Sequence, residues 1–166
     1  MSKTATVITA PNSLIEARKQ KQANPNSSSS IRIFLAGSIE MGTATLWQDA
    51  FIKNYRESTY SHTIIMNPRR PDWDSTWEQS YQNGNFYQQV NWELDALDLA
   101  THIVMYFDPA TKSPISLLEL GLYAASKKLM VICPDGYWKK GNVDVVCDRY
   151  DISQFNSMEE ILNRFK

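Results

Sequence analysis

Short apolar runs separated by helical patterns constrain the fold of this chain more than any other feature of its sequence. The runs cover residues 31–36, 63–66, 103–107 and 129–133, with 145–150 as the candidate fifth. Strands that are apolar on both faces are typical of a parallel sheet covered on both sides. Because helical periodicity fills the segments between the runs, we predict an α/β fold: a doubly wound, mainly parallel five-stranded sheet with helices on both faces.

Four segments carry apolar residues at helical spacing: 45–55, 86–100, 115–126 and 157–165. The last begins with Ser157 and Glu160, which form a capping-box pattern. The third is apolar almost all round, which is typical of a buried helix. Ligands of doubly wound sheets bind at the carboxyl ends of the strands, so the loops expected to form a site are 37–42, 67–77, 108–115 and 134–142.

The composition is that of one ordinary globular domain, and it excludes several classes of protein. The chain has 166 residues, of which 43% are hydrophobic and 21% charged, so fibrous, coiled-coil and disordered classes are excluded. A net charge of −1 gives no basic excess for nucleic acid, and no apolar run is long enough to cross a bilayer. The N-terminus lacks a secretory pattern, and the two cysteines lie outside any CxxC pair. We therefore expect a cytoplasmic protein without nucleic-acid or membrane partners.

The N-terminal residues differ in pattern from the rest, so we divide the chain into an extension, 1–30, and a domain, 31–166. The extension contains a β-branched run at residues 4–9, which is either an edge strand or a segment that docks on another subunit. It ends in a polar tail, residues 24–30, which we predict to be flexible.

Glu119 is the most unusual acid in the sequence because it lies in the apolar helix predicted at 115–126. At about 100° per residue it projects beside Ile115 and Leu122, where an ionised carboxylate is costly unless it is paired or hydrogen-bonded. A nucleophile or general base near a helix N-terminus would explain such a group. A solvated or salt-bridged glutamate at the edge of the helix explains the pattern equally well.

Glu93 lies within the apolar stripe of a predicted helix that also carries Phe86 and Val90. With Phe86 set at 0°, Val90 lies at about 40° and Glu93 at about 340°, so this acid points toward the apolar side. It is therefore a second candidate catalytic acid. An ion pair with Arg69 or Arg70 at the rim of the core is the structural alternative.

Two loops carry the side chains that we expect to bind a ligand. Gly37, Ser38 and Ile39 follow the first strand of the domain and precede a helix, where free backbone N–H groups suit a polar or anionic ligand. In the loop after the next strand, Asp72 and Trp73 lie among charged and aromatic residues, and a Trp ring can stack on a flat base. Packing of Trp73 onto the edge of the domain is the alternative.

Other kinds of catalytic site are not indicated by the sequence. His62 and His102 stand alone, and no metal-ligand spacing is present, so we expect no metal. The GxSxG, Cys–His, Walker and GxGxxG patterns are also absent from the sequence.

Taken together, these segments resemble the nucleoside 2-deoxyribosyltransferase superfamily, and in particular its nucleoside 2-deoxyribosyltransferase-like branch. The resemblance runs from about residue 31 to about residue 150. Its N-terminal signature is IFLAGSI at 33–39. Its most specific signature is SLLELGLYA at 116–124, which is similar to the Glu-aliphatic-Gly-x-Ala helix of the family. Segments 67–74, 92–93 and 141–145 complete the resemblance.

The resemblance implies a flavodoxin-like sheet and a homo-oligomer in which each site borrows residues from a neighbouring subunit. It assigns the role of nucleophile to Glu119 and that of the second acid to Glu93. Gly37, Ser38 and Ile39 would line the nucleoside site. Substrates would be a nucleoside and a free base, and no cofactor would be required.

Three further positions bear on specificity. Related deoxynucleotide N-hydrolases receive a 5′-phosphate in a similar Gly-Ser-Ile loop with a following Arg, where this chain has Glu40, so a phosphate is disfavoured. Transferases carry an Asp six residues before the nucleophile, where this chain has Ser113, so specificity for 2′-deoxyribose is left open. Asn142 corresponds to an Asn or Ser that a neighbouring subunit donates.

The activity implied is transfer or hydrolysis at the N-glycosidic bond. One carboxylate would trap the oxocarbenium-like sugar covalently while a second acid protonates the leaving base. An incoming base would give transfer, and water would give hydrolysis. The alternatives are a nucleoside or nucleotide N-hydrolase, a catalytically inactive module that senses nucleosides, and a structural protein that docks through residues 1–30.

Overall fold

The structure is a computed structural model that describes residues 4–23, 30–40, 43–58 and 62–166. Strands and helices alternate along this part of the chain. The strands are β1 (Thr6–Thr9), β2 (Ile31–Gly37), β3 (Thr63–Asn67), β4 (His102–Tyr106), β5 (Leu129–Ile132) and β6 (Ser153–Gln154). The helices are α1 (Ile15–Ala23), α2 (Trp47–Ser58), α3 (Gly84–Leu99), α4 (Pro114–Tyr123), α5 (Lys140–Tyr150) and α6 (Met158–Asn163). A 3₁₀ turn, Ala124–Ser126, extends α4.

The described strands form one parallel sheet in the order β1-β3-β2-β4-β5-β6. On β2, Phe34 lies opposite Met66 of β3 on one side and Ile103 of β4 on the other. The chain passes from β2 to β3 in one direction and then crosses β2 to reach β4, so the strand order reverses between β2 and β4. The predicted doubly wound parallel sheet is confirmed and is compatible with a flavodoxin-like fold, and a crevice is expected at the carboxyl ends of β2 and β4.

The predicted number of five strands is wrong, and one predicted strand is a helix. Residues 145–150 lie within α5. Val143 and Cys147 are buried four residues apart, whereas Val145 between them is exposed, and this is helical spacing. The strand that pairs beyond β5 is β6, which has two residues, both exposed, and therefore carries no apolar pattern.

The N-terminal segment adds a strand and a helix to the sheet. β1 pairs in parallel with β3 through residues Thr6 to Thr9, so the edge-strand interpretation of residues 4–9 is confirmed. α1 then packs near α3, where Arg18 forms an ion pair of 2.7 Å with Asp95. Most of the polar tail predicted to be flexible, residues 24–29, lies outside the described residues.

Helices cover both faces of the sheet because inward side chains alternate along the central strand β2. Phe34 and Ala36 face a core formed with α1, α3, α4 and α5. Ile33 and Leu35 face a second core formed with α2 and α6. Both layers of predicted helices are therefore confirmed.

Two helices begin at side-chain caps. Asn83 accepts a hydrogen bond of 3.0 Å from the backbone N–H of Phe86 at the start of α3. Ser157 accepts one of 3.2 Å from the N–H of Glu160, as the capping pattern predicts. The carboxylate of Glu160 accepts from the N–H of Asn156, and α6 ends at Asn163 instead of continuing to residue 165.

Helix α4 is buried on one side alone, which corrects the prediction that it is buried all round. Ile115, Leu118 and Leu122 are 58–59% exposed, whereas Glu119 and Leu120 are buried. Spacings of three and four residues place the exposed side chains on one stripe of the helix. Within the described residues, no other element covers that stripe, so the apolar composition of α4 exceeds what its contact with the sheet requires. No helix in the described part of the chain is long and apolar enough to cross a membrane.

Candidate active site

A cavity of about 510 Å³ lies at the carboxyl ends of β2 and β4, where the strand order reverses. Its floor is the end of β2 and the loop that follows. One wall is the loop after β3 together with α3, and the other wall is the start of α4. The volume is in the range of small-molecule sites, and the lining is mostly apolar. The polar or charged side chains among the lining residues are Glu40, Arg70, Gln79, Gln89, Glu93, Ser113, Ser116 and Glu119.

Gly37 forms the floor because no side chain fits there. Its φ is +120°, which L-residues with a side chain rarely adopt. A Cβ at this position would lie 2.2 Å from the carbonyl oxygen of Tyr106, its partner on β4. The next N–H, that of Ser38, donates to the same carbonyl at 2.9 Å. The chain can therefore turn away from the sheet at this point while it stays in contact with β4.

Ser38 holds the loop after β4 against the floor and does not itself line the cavity. Its side chain is fully buried. The Ser38 hydroxyl lies 2.8 Å from that of Thr111 and 2.6 Å from that of Ser113. It also accepts a hydrogen bond of 2.8 Å from the backbone N–H of Asp108. Of the predicted ligand loop, Gly37 and Ile39 line the cavity, and Ser38 supports it from below.

Ser113 is held in a left-handed conformation immediately before α4. Its φ is +45°, and its hydroxyl bonds Ser38 and Thr111, the latter at 2.7 Å. The residue lines the cavity, but its hydroxyl is already engaged by two neighbours. Glu40 fixes the same segment from the other side, since its Oε1 accepts the N–H groups of Lys112 at 2.9 Å and Ser113 at 2.8 Å.

Glu119 lies on the cavity wall formed by α4, and it is 7% exposed. Among the described residues, no group donates a hydrogen bond to its carboxyl and no cation forms an ion pair with it. Within the described residues, a salt bridge therefore does not account for this side chain. Burial, and after it the negative charge of Glu93, raises the pKa of Glu119 to about 8.

Glu93 lies on the cavity wall formed by α3 and is partly buried. Its Oε1 accepts a hydrogen bond of 2.8 Å from Nε2 of Gln89, one turn earlier on the helix. Burial raises the pKa of Glu93 to about 7 and outweighs the hydrogen bond from Gln89, which lowers it. In the described part of the chain, neither Arg69 nor Arg70 pairs with Glu93: the first contacts Gln48, and the second pairs with Asp72.

The two acids differ from ordinary surface carboxyls in how many protons they hold. With both pKa values near neutrality, the pair retains protons that exposed glutamates have lost at pH 7. Because the charge of Glu93 raises the pKa of Glu119, ionisation of one acid opposes ionisation of the other. The cavity can therefore hold a carboxylate and a carboxylic acid at the same time.

The loop after β3 contributes Arg70 and Trp73 to the lining of the cavity, whereas Asp72 is not a lining residue. Asp72 binds the guanidinium of Arg70 through two hydrogen bonds of 2.8 Å. Trp73 packs edge-on against Trp77, with ring centroids 5.1 Å apart. Trp73 thus both packs at the edge of the domain and faces the cavity. Asp72 orients a lining residue without lining the cavity itself.

Sequence reasoning missed Arg70 and Gln89 as residues of the site. From the sequence, Arg70 was only an alternative ion-pair partner for Glu93, and Gln89 was not a candidate. The one available signal was the spacing of four residues between Gln89 and Glu93, which puts both on the same helix face. Phe86 and Val90, which the sequence places on an apolar stripe, line the cavity beside Glu93, and Leu94 does so too.

Asn142 is exposed in the first turn of α5 and does not line this cavity. Its predicted role as a residue donated to a neighbouring subunit's site remains a prediction. Within the described ranges, no group of three or more His, Cys, Asp or Glu side chains is placed to hold a metal ion.

Comparison with known proteins identifies a family and a fold. The family model described as "Nucleoside 2-deoxyribosyltransferase like" matches residues 30–137. Among curated proteins, none matches the chain. A solved structure described as that of a conserved protein from Enterococcus faecalis V583 superposes with a TM-score of 0.60 and 11% sequence identity. The superposition covers 81% of this chain and 96% of that one, and at this identity it shows a shared fold alone.

Proposed function

The chain belongs to the nucleoside 2-deoxyribosyltransferase-like family, and we propose that it cleaves or exchanges the N-glycosidic bond of a nucleoside or deoxynucleoside. The observation that carries the proposal is the placement of Glu119 and Glu93 on two walls of one largely apolar cavity. Glu119 is proposed as the nucleophile, and Glu93 as the acid that protonates the leaving base. Neither role requires a cofactor.

The reaction proceeds in two steps that share one covalent intermediate. A carboxylate oxygen of Glu119 forms a bond to the anomeric carbon C1′ as the bond from C1′ to the base nitrogen breaks. The electron pair of the broken bond goes to the base, which takes a proton from Glu93. A second base then attacks C1′ through a ring nitrogen, gives its proton to Glu93 and releases Glu119 as a carboxylate. Water in place of the second base gives the free sugar.

The proton distribution in the empty site bears on these roles. Burial raises the pKa of both acids, so the pair holds a proton before substrate binds. The proposed nucleophile must be ionised. The positive charge that develops at C1′ in an oxocarbenium-like transition state favours ionised Glu119 and leaves the proton for Glu93. We therefore propose that the substrate sets the final assignment of acid and nucleophile.

The cavity also supports a preference for substrates without a 5′-phosphate. Glu40 lines the cavity, and its carboxylate accepts the two backbone N–H groups that precede α4. An anion at this place would meet a negative charge and find these two donors already engaged. We infer that the substrate is a nucleoside and not a 5′-nucleotide.

In a single subunit, an exposed apolar stripe of α4 lies beside the opening of the cavity. Ile115, Leu118 and Leu122 are exposed on α4, and all three also line the cavity. We propose that a second copy of the chain covers this stripe and that the protein acts as a homo-oligomer.

Ser113 favours a second candidate function. In the transferases that the sequence resembles, an Asp occupies this position, and here the Ser113 hydroxyl is engaged by Ser38 and Thr111. A site without that Asp could hydrolyse the substrate without transferring the sugar, or bind a nucleoside without turning it over.

The test is incubation of the full chain with a panel of nucleosides, with and without a second free base, followed by chromatography. Exchange of the base identifies a transferase, and release of the base without exchange identifies a hydrolase. Calorimetric binding without either product identifies a sensing module. A panel that shows neither binding nor turnover would contradict all three forms of the proposal.

A further inference from the structure

Two buried polar atoms in the cavity walls have no hydrogen-bond partner among the described residues: Nη1 of Arg70 and Oε1 of Gln89. Both residues line the cavity together with Glu93 and Glu119. An unpaired buried donor or acceptor lowers the stability of a protein, so native structures contain few of them. Here one is a donor and the other an acceptor, and the two lie in walls of the same cavity.

The orientation of Arg70 is determined by its other contacts. Nε donates a hydrogen bond of 2.8 Å to Oδ1 of Asp72, and Nη2 donates one of 2.8 Å to Oδ2. The guanidinium also lies over the ring of Trp77, 4.9 Å from its centroid. Its side chain is 5% exposed. One edge and one face of the guanidinium are therefore occupied, and Nη1 retains its capacity to donate.

The orientation of Gln89 is determined in the same way. Its Nε2 donates to the carbonyl oxygen of Pro68 at 2.9 Å and to Oε1 of Glu93 at 2.8 Å. A carbonyl oxygen can only accept, so the amide nitrogen must face Pro68 and the amide cannot be flipped. Oε1 of Gln89 is thus held as an acceptor without a donor among the described residues.

We propose that Arg70 and Gln89 bind the base of the substrate and select bases with a lactam edge, in which a ring carbonyl lies beside a ring N–H. The carbonyl oxygen would accept from Nη1 of Arg70, and the N–H would donate to Oε1 of Gln89. Uracil, thymine, hypoxanthine and guanine carry such an edge. The proposal rests on the proposed function, because it places the base in the cavity beside Glu93. Trp73 and Phe86 supply aromatic surface in the same cavity.

The charge of Arg70 separates these bases from amino bases. Adenine and cytosine present an amino group beside a ring nitrogen, and this edge could also form two hydrogen bonds. When the glycosidic bond breaks, however, its electron pair enters the base. In an oxo base part of that negative charge resides on the carbonyl oxygen, which faces the guanidinium. Arg70 therefore favours oxo bases as leaving groups, although both kinds of base can bind.

The test measures cleavage by the full chain of inosine against adenosine and of uridine against cytidine, together with binding of the four free bases by calorimetry. We expect kcat/KM for the oxo nucleoside of each pair to be about tenfold higher, which is the effect of one hydrogen bond to a charged group that strengthens in the transition state. Arg70→Lys should reduce that ratio to within about threefold, and both Arg70→Lys and Gln89→Met should weaken binding of the free bases by about fivefold or more. Arg69→Lys is the matched control, because Arg69 does not line the cavity and its variant should keep the preference.

A melting curve shows whether each variant is folded, and Gln89→Met carries the test if Arg70→Lys does not fold. A wild type that cleaves both classes of nucleoside at equal rates, or variants that bind the free bases as tightly as the wild type does, would overturn the inference. The proposed function fails separately. If no nucleoside is cleaved but the two variants bind the free bases more weakly than the wild type, the enzyme is contradicted and the base site is supported, whereas cleavage of oxo and amino nucleosides at equal rates contradicts the selection alone.

Discussion

The carboxylate of Glu40 accepts a hydrogen bond of 2.8 Å from the backbone N–H of Ser113, immediately before the helix that carries Glu119. A second bond of 2.9 Å comes from the N–H of Lys112. Backbone N–H groups before a helix are donors that an anionic ligand would otherwise use. In this chain, an internal carboxylate already occupies them.

We therefore predict that a nucleoside binds more tightly than its 5′-monophosphate. Repulsion between two like charges about 4 Å apart is on the order of 1 kcal/mol in water and larger in a partly dry cavity, so a difference of about fivefold or more is expected. Calorimetry with both ligands measures it. Glu40→Gln should reduce the difference in affinity between nucleoside and monophosphate. Glu159→Gln removes the same charge on the opposite face of the sheet and should leave that difference unchanged. Tighter binding of the monophosphate to the wild type would contradict the assignment.

Glu119→Gln should abolish turnover and leave binding nearly intact. The amide has almost the same shape but cannot form the covalent bond to C1′ or oppose a positive charge there. We expect kcat to fall by about a thousandfold or more, with Kd for the nucleoside within a fewfold of wild type. Base release measured by chromatography and binding measured by calorimetry check this. Glu16→Gln on α1 is the control, and near-normal turnover of the Glu119→Gln variant would remove Glu119 from the mechanism.

The same substitution should change how stability depends on pH. The folded-state pKa of Glu119 is raised, so the native chain holds a proton that the unfolded chain has released between about pH 4.5 and pH 8. The contribution of Glu119 to stability is therefore greatest at acid pH and falls as pH rises through this window, by up to about 1.4 kcal/mol per unit. The Glu119→Gln variant has no carboxyl to ionise at this position. The difference between its free energy of unfolding and that of the wild type should therefore shift in favour of the variant as pH rises from 5 to 9. Urea titrations along this range give the comparison, and a constant difference would argue against a buried acid.

Glu93→Gln should lower the pKa of Glu119, because the charge of Glu93 is one cause of its elevation. The hydrogen bond from Gln89 can persist to the amide oxygen, so the helix should keep its geometry. The variant should turn over slowly for want of a proton donor. The acid limb of its kcat/KM profile should lie at lower pH than that of the wild type. An unchanged acid limb would indicate that the two acids do not interact.

Leu118→Lys should weaken self-association. Leu118 is 59% exposed on the stripe of α4 that we propose a second copy covers. Leu46, just before α2, is also 59% exposed and provides the matched control as Leu46→Lys. Light scattering at micromolar concentration should show the wild type and the Leu46→Lys variant as oligomers and the Leu118→Lys variant as a smaller species. A wild type that scatters as a clean 19.0 kDa monomer would contradict the proposal.

Strands that are apolar on both faces could be predicted from the sequence, because a parallel sheet with two covered faces imposes that composition. The four central strands therefore lie where the pattern places them. β6 could not be found, since its two exposed residues pair with β5 without any apolar side chain. Val143, Val146 and Cys147 form a helical pattern that a short apolar run concealed.

Two kinds of signal indicate the site in the sequence. Loops after the strands place Gly37, Ile39 and Trp73 at the cavity, and two acids conflict with their apolar surroundings. Glu119 and Glu93 were detectable because a carboxyl in an apolar stripe is anomalous in any sequence.

The ion-pair partner of Arg70 could not be predicted from the sequence. It is Asp72, two residues away, and not Glu93. The unpaired Oε1 of Gln89 depends on where the carbonyl of Pro68 lies, and such long-range placement leaves no local pattern.

Gly37 has a consequence for anyone who wishes to give this protein a new substrate. A Cβ there would lie 2.2 Å from a carbonyl oxygen of the neighbouring strand, so a saturation library at this position should return glycine alone. No side chain can then be introduced at the floor of the cavity without separating β2 from β4. Redesign has to begin at the rim, from side chains such as Glu40 and Trp73 that the sheet does not hold in place.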